Sequence, residues 1–90
     1  MARARKRVLV EGRVQGVFFR ETCARMAQQA GVAGWVRNRV DGRVDACFEG
    51  EEDAVGRMVA WCRSGPSRAH VERVEVVTEE PVGESGFRVG

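Results

Sequence analysis

Apolar and polar positions change period several times along the chain, and each change predicts an element. Val8, Leu9 and Val10 form a short apolar run ended by Gly12, which predicts a buried strand over residues 6–12. From residue 20 to residue 30 the spacing turns helical. Phe19, Cys23, Met26, Ala27 and Ala30 make one apolar stripe, with Glu21, Arg25, Gln28 and Gln29 on the opposite face. Gly31 followed by Val32 predicts a left-handed helix stop with its hydrophobic contact. Residues 34–40 and 43–49 read as a hairpin around Asp41-Gly42, in which Val44, Ala46 and Phe48 share one face. A second helix begins after Gly50, where Glu51, Glu52 and Asp53 suit the positive end of the helix dipole. It buries Val55, Met58, Val59 and Cys62 and stops near Gly65-Pro66. Strands over 70–78 and Phe87 to Val89 complete the chain.

The order strand, helix, strand, strand, helix, strand predicts an α+β fold. It is a two-layer ferredoxin-like sandwich with a mainly antiparallel sheet, both helices on one face and a short last strand. Right-handed crossovers set the first and third strands side by side at the centre. The turn after the first strand then lies near the middle of one end of the sheet.

Composition narrows this picture. A chain of 90 residues makes one small domain, residues 1–90. It has no apolar run of membrane-spanning length, and the basic start Arg3-Ala4-Arg5-Lys6-Arg7 leads into a strand without a signal-peptide apolar region. A cytoplasmic protein with no membrane partner is expected, its basic start a solvated tail. Cys23, Cys47 and Cys62 are odd in number and form no CxxC pair, so they suggest neither a disulfide framework nor a zinc site. They read as buried or half-buried thiols. The net charge of +2 is too small and too interspersed to indicate nucleic acid by itself. Asp41, Asp45 and Glu49 read as solvated hairpin charges, and no cluster suggests a metal or another cofactor.

Candidate chemistry begins between the first strand and the first helix, at Gly12-Arg13-Val14-Gln15-Gly16-Val17-Phe18-Phe19-Arg20. Glycines let successive N–H groups converge on one point, and the first helical turn adds unpaired N–H groups, so the segment can cradle an anion. Arg20 is a cation at the positive end of a helix dipole, which favours a nearby anion. Taken alone, the segment reads first as a solvated turn in which Glu21 balances Arg20, and a second motif is needed to favour the cradle. Asn38 is the chain's single asparagine, and a turn role is its plainest explanation.

A second segment runs Gly34-Trp35-Val36-Arg37-Asn38-Arg39-Val40-Asp41-Gly42-Arg43-Val44 and continues to Glu49-Gly50. With the first, it resembles the acylphosphatase family. The first reproduces the pattern Gly-x-Val-Gln-Gly-Val-x-Phe-Arg, and the second Gly-aromatic-Val-x-Asn-x-x-x-Gly-x-Val. The resemblance covers Arg7 to Val89 and implies the same sandwich. It implies hydrolysis of an acyl phosphate to a carboxylate and inorganic phosphate, by a free-standing monomer without metal or cofactor. Inorganic phosphate is then both product and competitive inhibitor. The phosphate-binding arginine maps onto Arg20 and the water-positioning asparagine onto Asn38. The backbone of Gln15, Gly16, Val17, Phe18, Phe19 and Arg20 would hold the phosphate.

Two alternatives belong to other classes. RNA-recognition modules share this element order, but the third strand, Arg43 to Glu49, lacks their glycine-aromatic pattern. A non-catalytic phosphate binder would keep the cradle yet have no use for the amide of Asn38.

Overall fold

The computed structural model describes residues 2–90. Strand β1 (Arg3–Arg13) leads into helix α1 (Phe19–Ala30), strands β2 (Ala33–Asn38) and β3 (Val44–Glu51), helix α2 (Glu52–Cys62), and strands β4 (His70–Glu79) and β5 (Phe87–Val89). The sheet order is β4-β1-β3-β2-β5, antiparallel except where β5 joins β2 in parallel. The expected sandwich is therefore present, with β1 beside β3.

Both helices lie on one face of the sheet. Val8 and Val10 of β1, Val36 of β2, and Val44, Ala46 and Phe48 of β3 meet Phe19, Cys23 and Ala27 of α1 and Val55, Met58 and Cys62 of α2. Phe19 and Phe48 are the largest of these, and burying each contributes roughly 2–3 kcal/mol relative to exposure. Helix α1 ends as expected: Gly31 has φ 70°, its N–H donates to Gln28, and the Val32 N–H donates to Ala27 at 2.8 Å. Those are the bonds of a Schellman stop, and Val32 packs into the core beneath it.

The other sheet face departs from expectation. In β3 the alternating partners of Val44, Ala46 and Phe48 are Asp45, Cys47 and Glu49, and all three are fully buried. Asp45 accepts hydrogen bonds from Arg7 (2.8 and 3.1 Å) and Arg37 (3.2 Å). Glu49 accepts from Arg3, from Arg5 and from the N–H groups of Val82, Gly83 and Glu84, at 2.8 to 3.3 Å. These carboxylates are thus not solvated hairpin charges. Nor is the basic start a tail: β1 begins at Arg3, ahead of the expected residue 6, and its arginines roof β3. Trp35 of β2 adds a surface for Arg37 and Arg7, whose guanidinium carbons lie 5.0 and 5.8 Å from its ring centre.

Burial opposes ionisation of Glu49 more than any single partner favours it. The N–H of Val82, the Arg5 guanidinium and the N–H groups of Gly83 and Glu84 together outweigh it, and the carboxyl falls to about 2. Asp45 is lowered for the same reason, with burial opposed by Arg7 and Arg37.

Candidate active site

The turn between β1 and α1 is set by one close fit and two left-handed residues. Gly12 sits at a bulge in the β1–β4 ladder, where an added Cβ would collide with the backbone carbonyl of His70. The chain can therefore press against β4 before turning away, and the role of Gly12 is close approach rather than membership of the cradle. Gly16 (φ 73°) and Phe18 (φ 65°) then take left-handed conformations. This alternation turns successive N–H groups toward a common side. Among the described residues, no N–H from Gln15 to Arg20 donates to a backbone acceptor. Phe18 is the N-cap of α1 and supplies no side-chain cap, so the helix's first donors stay open as well.

Arg20 projects from the first turn of α1, half-buried. Its Nη1 donates to the backbone oxygen of Gly90 at 2.7 Å, and among the described residues it pairs with no Asp or Glu side chain. The balance with Glu21 that a solvated turn would require is not formed. Gly90 is held in turn, its N–H donating to Val36 at 2.8 Å beside the β2–β5 pairing. Nothing in the short run Phe87 to Val89 signalled this support for Arg20.

Asn38 ends β2, opposite Val44 of β3. The hairpin beyond it turns more widely than a tight Asp-Gly loop, so β2 stops at Asn38 rather than residue 40. Arg39 N–H donates to Arg43 at 2.8 Å, and Asp41 receives the Arg43 N–H and guanidinium. Those bonds from Arg43, then from Arg39, hold the Asp41 carboxyl well below its usual range. Asn38 Oδ1 is buried and receives no hydrogen bond from the described residues. An unpaired buried acceptor costs about 1–3 kcal/mol, so this atom is one whose polar group the described fold leaves unsatisfied.

Gly16, Phe18, Phe19, Arg20 and Asn38 line one pocket of about 140 Å³. Gln15 and Val17, also expected at the phosphate, contribute no wall to it. Val17 is buried in the core. The Gln15 amide donates instead to the carbonyls of Arg39 (2.8 Å) and Arg43 (3.1 Å), tying the cradle to the hairpin that carries Asn38. The thiols supply no nucleophile here. Burial pushes Cys62 up to about 12, Cys47 up to about 11 and Cys23 higher still. Among the described residues, no three His, Cys, Asp or Glu side chains are grouped as metal ligands.

Comparison with known proteins points one way. The acylphosphatase family model matches residues 6–89. The chain is 56% identical over 90 residues to an acylphosphatase of Roseiflexus, covering 99% of this chain and 97% of that one. It is 58% identical over 87 residues to one of Rubrobacter xylanophilus, covering 94% and 78%. The crystal structure of the Bacillus subtilis acylphosphatase superposes with a TM-score of 0.91 at 35% identity, covering 97% of this chain and 98% of that one. Full-length HypF, at 22% identity, shares the fold over 12% of its own length. With its motifs, its sheet order and its relatives in agreement from end to end, the chain belongs to the acylphosphatase family.

Proposed function

We propose that this protein hydrolyses acyl phosphates by attack of water on phosphorus, with Arg20 and the Gly16–Arg20 backbone holding the phosphoryl group and Asn38 holding the water. One observation carries the assignment of roles: Asn38, whose buried Oδ1 has no hydrogen-bond partner among the described residues, lines the same small pocket as Arg20 and the turn with the open N–H groups.

The chemistry asks for little more. Phosphoryl transfer needs positioning and neutralisation of the equatorial oxygens, which a guanidinium fork and fixed N–H donors supply. Water oxygen bonds to phosphorus as the bond from phosphorus to the carboxyl oxygen breaks, and its electron pair leaves with the carboxylate. That carboxylate has a conjugate acid of pKa about 4, so it departs unprotonated and no general acid is required. Asn38 Oδ1 accepts one water hydrogen and orients the lone pair, while a phosphate oxygen takes the proton. Inorganic phosphate, the product, fits the same cradle and competes with substrate. Neither a metal nor another cofactor has a role in this scheme. Three buried unpaired thiols suit a reducing cytoplasm, and a sealed sheet face suits a monomer that acts without nucleic acid or membrane.

The test separates binding from turnover. Asn38→Ala is expected to lower kcat on acetyl phosphate roughly a hundredfold, while the inhibition constant of inorganic phosphate moves less than about threefold. An unchanged kcat would remove Asn38 from the mechanism.

A further inference from the structure

We propose that the exposed ring of Phe18 is the platform for the acyl group, which crosses it into the hollow alongside α1. This rests on the Gly16–Arg20 turn being the phosphate cradle. The φ of 65° puts a bulky aromatic residue in a conformation that glycine adopts freely and phenylalanine resists. Packing does not offset that strain: Phe18 is 59% exposed, whereas its neighbour Phe19 is 2% exposed. For the fold, glycine would serve this position better. The phenylalanine ring therefore has a use outside the fold.

Its position supplies that use. Phe18 and Glu21 are the wall shared by the 140 Å³ cradle pocket and a second hollow of about 440 Å³, bounded on its far side by Arg25, Pro66 and Arg68. In-line displacement excludes the hollow on the water's side, because attacking water and leaving carboxylate lie on opposite sides of phosphorus. A further hollow, lined by Arg13, Gln15, Gly16, Val17 and Arg68, also lies away from Asn38 but meets the cradle pocket at Gly16, which offers the acyl group no side chain to pack on. Asn38 borders the cradle pocket and a third hollow formed by its own hairpin, but not the one beyond Phe18. A leaving group in the hairpin hollow would share the water's side. One that crosses Phe18 departs from the other. An aromatic face on that path favours aryl over short alkyl acyl groups, by stacking and burial.

The experiment measures kcat/KM for benzoyl phosphate and for acetyl phosphate in the wild type, Phe18→Gly and Phe18→Trp. The benzoyl-to-acetyl ratio is expected to fall about tenfold in Phe18→Gly, mainly through KM for benzoyl phosphate, and to hold or rise in Phe18→Trp. Because the ratio compares two substrates in one preparation, any loss of folded enzyme cancels. A ratio in Phe18→Gly within twofold of the wild type overturns the platform alone, as does an equal fall in Phe18→Trp. Failure of the wild type to hydrolyse either substrate overturns the reading of the site as well.

Discussion

Arginine does opposite things at two places in this molecule. Opposite the helices, Arg5 and Arg7 are fixed against the buried carboxylates of Glu49 and Asp45, and the N–H groups of residues 82–84 complete the shell of Glu49. At the turn before α1, Arg20 has one backbone acceptor and Asn38 Oδ1 has no donor from the described residues. The first arrangement is electrostatically complete, so it holds the sheet together. The second leaves the N–H groups of the turn and Asn38 Oδ1 without partners among the described residues, which disfavours the fold and is the ground on which a ligand is proposed there. Incomplete pairing, rather than charge density, is what sets Arg20 and Asn38 apart from the arginines over β3.

Substitutions can break that contrast from either side. Arg20→Gln should have the largest effect, lowering kcat/KM for acetyl phosphate roughly a thousandfold and weakening phosphate inhibition, with the urea midpoint nearly unmoved. Loss of stability in place of activity would put Arg20 in the structural group. Glu49→Gln should do the reverse, costing about 3 kcal/mol in urea unfolding because Arg5 and Arg3 lose a buried partner, while turnover of the folded enzyme persists. The pH dependence has a definite sign. The Glu49 carboxyl lies near 2 in the fold against an ordinary 4.5, so its stabilisation is complete above about pH 4.5 and is lost as pH falls toward 2. The acid slope of the urea midpoint should be shallower in Glu49→Gln. Smallest is Gln15→Ala, which breaks the tie between cradle and hairpin. It should cost about 1 kcal/mol of stability and lower kcat several-fold with little change in phosphate inhibition, an outcome that sets Gln15 between the two groups as a positioning residue.

What was legible in the sequence follows the same division. Period changes at residues 20–30 and the Gly31-Val32 stop are local, so they located α1 and its end. The cradle and Asn38 lie on short, densely patterned segments, and the fold brings both to one pocket. The role of Arg3, Arg5 and Arg7 was not legible, because Arg5 meets Glu49 and Glu79 across separations of 44 and 74 residues. A strand whose polar face is roofed by side chains from other strands looks solvated until those strands are placed. The conformation of Phe18 was hidden for another reason. Positive φ was expected at glycines, and a phenylalanine carries no such signal.

The two ends of the sheet order have a consequence for self-association. β5 is three residues long, which leaves an approaching chain few backbone groups to pair with. β4 is ten residues long, but Glu72, Arg73, Glu75 and Glu79 repeat along it, and a strand laid beside it would have to accept their charge. Unpaired strand edges invite lateral growth into fibrils, and short or charged edges discourage it. The charged side chains of β4 and the brevity of β5 are thus features that discourage another strand from extending this sheet.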